Sequence, residues 1–145
     1  MYGINFHHFH DDKKYQKTQG SISKNQLIKI INYYGVDNIL NPNDFIEGIN
    51  KNKFSKKVCL TFDDGIKSQY DIALPILEKY KIKAFFFIYT SIFSSSFSRI
   101  EIYRYFRENY FHNTNEFYNT FYDELNENLK FFFEKKKKHI SFLKK

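Results

Sequence analysis

The chain has one cysteine, no tryptophan, one methionine and two prolines in 145 residues. The single thiol, Cys59, cannot close an internal disulfide, and its place within an apolar run reads as a small core residue. No stretch approaches the roughly 20 consecutive apolar residues of a membrane-spanning helix, so no helical span is expected. A leader pattern is also missing: His7, His8 and His10 run directly into Asp11 and Asp12, where an apolar targeting segment would stand. A cytoplasmic protein is therefore expected. The aromatic residues are all Phe and Tyr, 18 and 12 of them. With abundant Lys, Asn and Ile, that skew reads as the trace of an AT-rich coding sequence.

Length points to one domain, and a hydrophobic content of 42% is enough for a core. The net charge of +7 is uneven: residues 1–50 sum to zero, 51–98 to +4 and 99–145 to +3. Lys135 to Lys138 form a basic run. Such a run can attract nucleic acid or an anionic membrane. It can equally be a solvated helix end whose lysines complement the negative end of the helix dipole. No nucleic-acid fold signature stands beside it, so nucleic acid is not an expected partner.

Patterning along the chain is that of an α/β protein. Tyr2 to Phe9 suits a first strand, and Asp11 to Gly20 a polar loop. Ser23 and Gln26 stand at capping-box spacing. They precede a helical apolar face of Leu27, Ile28, Ile30, Ile31 and Tyr34, which Gly35 can end. Pro42 suits the first position of a second helix, behind Asn41. Val58 to Phe62 is a strand, and Ser68 can cap the helix that follows, with an interruption expected at Pro75. Ala84 to Tyr89 is a continuous apolar run, predicted as a strand buried on both faces. Together these predict a βαβ unit with a parallel sheet. Ser91 to Ser98 reads as a loop. Ile100, Tyr103 and Phe106 suggest a short helix. Phe117, Phe121, Leu125, Leu129 and Phe132 suggest a longer amphipathic helix, from Asn115 to Lys138.

The run Val58-Cys59-Leu60-Thr61-Phe62-Asp63-Asp64-Gly65 carries the chemistry. An apolar strand ends in two adjacent carboxylates and a glycine, which delivers acidic side chains to the C-terminal mouth of a parallel strand. Successive strand residues face opposite ways, so Asp63 and Asp64 would separate, one free to hold a metal and the other to face a water or substrate. Gly65 permits a sharp turn. Two histidine groups are further candidates. A strand would place His8 and His10 on one face, near the mouth where Asp63 and Asp64 emerge, and two histidines with one aspartate would suit zinc. A strand-end histidine that orders a loop is the alternative. His112 and Glu116 stand four apart and could share a helix face, or could simply be an exposed helix start. His139, after the lysines, reads as exposed.

Thr-Phe-Asp-Asp-Gly behind an apolar strand resembles the first motif of the polysaccharide deacetylases, the NodB-homology family. Asp71 to Tyr80 then resembles the family's next helix, and Lys81 to Ile88 its next strand with an Ala-x-Phe-Phe pattern. Phe6-His7-His8 and Ser21-Ile22-Ser23 match its opening. The likeness runs from about residue 4 to residue 93. It implies a (β/α) barrel, of which about three strands are recognisable here. It also implies metal-dependent hydrolysis of the N-acetyl carbon–nitrogen bond of a carbohydrate, with zinc as the expected metal. Carried over by position, Asp63 would be the general base and Asp64 a metal ligand. The family's His-Ser/Thr-x-x-His ligand motif does not occur after residue 65, and its later Trp-containing motif cannot be present.

The expectation is thus a partial deacetylase-type barrel over residues 1–98, followed by a helical extension or the start of an insertion, with a basic tail, over 99–145. Truncation before the histidine motif is one expectation. The chain would then have the missing barrel half as a possible partner and little activity alone. The alternative is a non-catalytic interaction protein or an inactive remnant.

Overall fold

Period-two patterning makes β4 (Val58–Asp64) the centre of a three-stranded parallel sheet. In this computed structural model, which describes residues 1–52, 56–94, 98–125, 129–131 and 134, β1 (Tyr2–Phe6) lies along one side of β4. Its register sets Tyr2 opposite Val58 and Phe6 opposite Phe62. On the other side runs β5 (Phe85–Ile88), with Thr61 opposite Phe85 and Asp64 opposite Ile88. A second, two-stranded parallel sheet joins β2 (Phe9–His10) to β3 (Ile22–Ser23).

Alternation divides the sheet into two unlike faces. Phe6, Leu60 and Phe62 fall on one face and are buried with Phe9, Leu27, Ile31, Ile76 and Leu77. Phe62 is fully buried, stacked on Phe86 with centroids 4.8 Å apart. Burial of one such side chain contributes about 1.5–3 kcal/mol. Asn5, Thr61 and Asp63 fall on the opposite face. Cys59 is buried, and burial pushes its thiol pKa up, as for an inert core thiol.

The helices follow their local signals. Helix α1 (Lys24–Tyr34) starts at a full capping box between Ser23 and Gln26 and buries Leu27 and Ile31. Gly35 ends it at φ 77°, donating to Ile31 O. Helix α2 (Pro42–Asn50) starts with Pro42 behind the Asn41 cap. After β4 the chain forms a π-helical turn, Gln69–Ala73, which runs into helix α3 (Leu74–Lys79). The interruption expected at Pro75 is therefore a widened turn just before it.

Several sequence expectations are corrected. The first strand stops at Phe6, so His8 and His10 do not share one continuous strand face. Ser68 makes no cap hydrogen bond for the following helix; its Oγ accepts from Phe9 N at 3.2 Å instead. Strand β5 is not buried on both faces: Phe87 is 53% exposed and Ile88 51%. An apolar run records hydrophobicity but not how many neighbours cover it, and among the described residues β5 is an outer strand of its sheet.

The chain divides into two compact units, Met1–Ser96 and Phe97–Lys145. In the second, α4 (Arg99–Tyr110) and α5 (Thr114–Asp123) are joined through Phe111, whose ring meets Phe106 and Phe117 edge-on. Helix α5 ends at Asp123, where a turn interrupts the predicted helix, and residues 129–131 and 134 are again helical. Phe132, Lys135 to Lys138 and His139 lie outside the described residues. No described helix is long and apolar enough to cross a membrane.

Candidate active site at the end of the central strand

Strand β4 carries Thr61 and Asp63 on the same face, and register puts Asn5 of β1 opposite Thr61. That geometry builds a short polar relay. Thr61 Oγ1 donates to Asn5 Oδ1 at 3.0 Å, and Asn5 Nδ2 donates to Asp63 Oδ2 at 2.8 Å. The Asp63 carboxylate can only accept, so the N–H end of the Asn5 amide is turned to it and the amide oxygen is left to the Thr61 hydroxyl. His7, just beyond the end of β1, places Nε2 at 3.5 Å from the same Asp63 Oδ2. Both contacts fall on Oδ2. Oδ1 carries neither of them, and the Asp63 side chain is 32% exposed.

Asp64 follows with φ 73° and Gly65 with φ 64°. A left-handed backbone at a non-glycine residue costs about 1–2 kcal/mol, and such strain concentrates at functional positions. It turns the chain out of the strand at its last residue, Asp64. A Cβ on Gly65 would lie 2.9 Å from Ile88 Cδ1, a side-chain end that can shift, so it is the left-handed φ that favours glycine there. Among the described residues the Asp64 carboxylate has no hydrogen-bond or ion-pair partner.

The other candidates separate from the pair. His10 Nδ1 is 2.8 Å from Ser21 Oγ, within the β2–β3 junction. The main-chain oxygen of His8 accepts from Ile22 N at 3.0 Å. His112 and Glu116 do meet, but the Glu116 carboxylate accepts from the His112 backbone N–H at 2.6 Å, which is a helix-start role. Asn5 and Gln69 were not singled out from the sequence. A polar residue inside a strand, two positions before a histidine, was the available signal for Asn5.

A metal site needs three convergent protein donors in the usual zinc arrangement. Among the described residues no group of three His, Cys, Asp or Glu side chains converges in that way. The residues present supply the aspartate pair and one nearby histidine, which falls short of a complete metal-binding set.

Residues 50–110 match the polysaccharide deacetylase family model. The resemblance is to the deacetylases. A solved de-N-acetylase from Aggregatibacter actinomycetemcomitans is similar, with 27% identity and a TM-score of 0.51. The match covers 66% of this chain and 40% of that one, so the deacetylase-like chain spans about two-fifths of that structure's length. No curated protein matches the chain. The mixed α/β architecture, with its small parallel sheet and helices, is therefore similar to that of a deacetylase structure.

Proposed function

We propose that the chain is part of a carbohydrate de-N-acetylase, with Asp63 as general base and Asp64 as a metal ligand of the assembled site. The observation that carries this reading is the Asp63 carboxylate at the strand mouth, oriented through one oxygen by Asn5 and His7. The family match over residues 50–110 supports the chemistry. The three-stranded sheet is then one sector of a (β/α) barrel. Donors beyond Asp64 come, in this reading, from outside the described residues, with the missing barrel half as partner. The substrate class is an N-acetylated sugar.

In this reaction Asp63 takes a proton from a water, whose oxygen forms a bond to the acetamide carbonyl carbon. The carbon–nitrogen bond breaks as the nitrogen takes up the proton held by Asp63, and the amine and acetic acid leave, the acid's proton passing to the amine to give ammonium and acetate. The role of Asn5 and His7 is to hold Oδ2, so that Oδ1 can face the water. General-base catalysis of this kind contributes about 10²–10⁴-fold.

The test is acetate release from N-acetylglucosamine oligomers in the presence of a divalent metal. Measured on the chain, and on the chain supplemented with a deacetylase fragment bearing the His-Ser/Thr-x-x-His motif, release should fall about 10²–10⁴-fold in Asp63→Asn. Equal release by wild type and variant, or neither release nor oligomer binding in any form, would end this reading.

A further inference from the structure

We infer that Gln69 is a positioning residue for Asp63, acting through the main chain of the two strand ends that carry His7 and Asp63. The inference rests on the reading of Asp63 as the base. Gln69 opens the π-helical turn and is 1% exposed. Its Nε2 donates to His7 O at 2.8 Å and to Asp63 O at 2.6 Å. Both partners are carbonyl oxygens, so the amide nitrogen, with its two N–H groups, is the end that faces them.

The paired ladder between β1 and β4 ends at Phe6 and Phe62. His7 and Asp63 stand one residue further, past the last paired positions. The Gln69 amide bridges their two carbonyls. It fixes the separation of the two main chains at the residues whose side chains meet, His7 Nε2 and Asp63 Oδ2. The bond to Asp63 O also anchors the chain one residue before the left-handed Asp64. A strained conformation persists only where its surroundings over-determine it.

Packing alone does not account for an amide here. Gln69 Oε1 is buried and has no hydrogen-bond partner among the described residues. An unmatched buried acceptor is unfavourable, and an apolar side chain of similar volume would avoid it. The two donated bonds are what the amide adds. Ser68, its neighbour, makes a different buried bond, to Phe9 N, and touches neither carbonyl.

The inference is tested by NMR on the whole chain, without turnover. Asn5 Nδ2 and His7 Nε2 approach the same oxygen, so a cross-peak between the Asn5 amide protons and the His7 ring reports the geometry around Asp63. In Gln69→Met that cross-peak is expected to disappear and the His7 ring signals to split or broaden. Ser68→Ala should lower the melting temperature and keep the cross-peak. Should Gln69→Met fail to fold, Gln69→Asn, too short to span both carbonyls, should show the same loss. In the wild type, the Gln69 side-chain amide protons should exchange slowly with solvent. A cross-peak retained in either folded Gln69 variant, or fast exchange of the wild-type amide, would overturn the positioning role. Acetate release insensitive to Asp63→Asn would instead overturn the proposed function and leave the Gln69 geometry standing.

Discussion

Asp71 lies at the π-helical turn, outside the candidate site, and gathers three partners. Lys14 Nζ donates to it at 2.6 Å, Lys67 Nζ at 2.8 Å, and the Tyr15 hydroxyl also donates to it. Lys14 first, then Lys67 and Tyr15, hold its carboxyl well below the usual carboxylate range. The folded-state value lies under the ordinary 3.8, so on acidification the unfolded chain takes up this proton first. The stabilisation is therefore complete above about pH 5 and drains away as pH falls through and below the ordinary value. Asp71→Asn should lower the melting temperature at pH 7 and flatten its fall below about pH 5. An unchanged acid limb in the variant would show that the pairs contribute nothing. Salt should narrow the difference, because the lysines are solvent-exposed. At the site itself, Asn5→Leu removes a hydrogen bond to a charged group, worth about 1.5–3 kcal/mol. If the base acts through that orientation, Asp63-dependent acetate release should drop roughly 10–100-fold, with little change in oligomer affinity. A fall in affinity alone would place Asn5 in substrate binding.

At the scale of elements, the turn after β4 and the start of α1 are the most exposed to test. Gly65→Ala places a Cβ against Ile88 in a left-handed backbone, and should cost about 1–2 kcal/mol from the backbone alone. Denaturant unfolding measures it, and a neutral result would mean that the turn can relax to a right-handed form. Ser23→Ala removes one half of the capping box and should cost about 1 kcal/mol. The same signals were legible in the chain: Ser23 and Gln26, Gly35, and Pro42 behind Asn41 act over three or four residues, and local chemistry decides them. Ser68 shows where that stops. Its hydroxyl was free to cap the next helix, but the strand β2 packed beside it presents the Phe9 N–H, and a buried donor must be matched.

For the first unit as a whole, the sheet order β1–β4–β5 leaves β5 as an outer strand among the described residues. Phe87 and Ile88 are about half exposed on it. Outer strands with apolar side chains pair readily with other chains. The chain is expected to self-associate as its concentration rises, and Phe87→Lys to weaken that association in sedimentation velocity. Concentration-independent monomers of the wild type would contradict this. A barrel partner that covers β5 should suppress the same association, which ties the measurement to the proposed assembly.

The residues alone were enough to announce a parallel α/β sheet, the helix starts, and a strand that ends in Asp63 and Asp64, because periodicity, capping and the resemblance of Thr-Phe-Asp-Asp-Gly are all written in consecutive positions. They could not reveal that Asn5 and His7, about sixty residues earlier, share one oxygen of Asp63, or that Gln69 bridges the two strand ends. Those contacts depend on the register of β1 against β4, a long-range pairing that sets which side chains face each other. The exposure of β5 likewise follows from its neighbours, and a run of phenylalanines is the same sequence whether one face or two are covered.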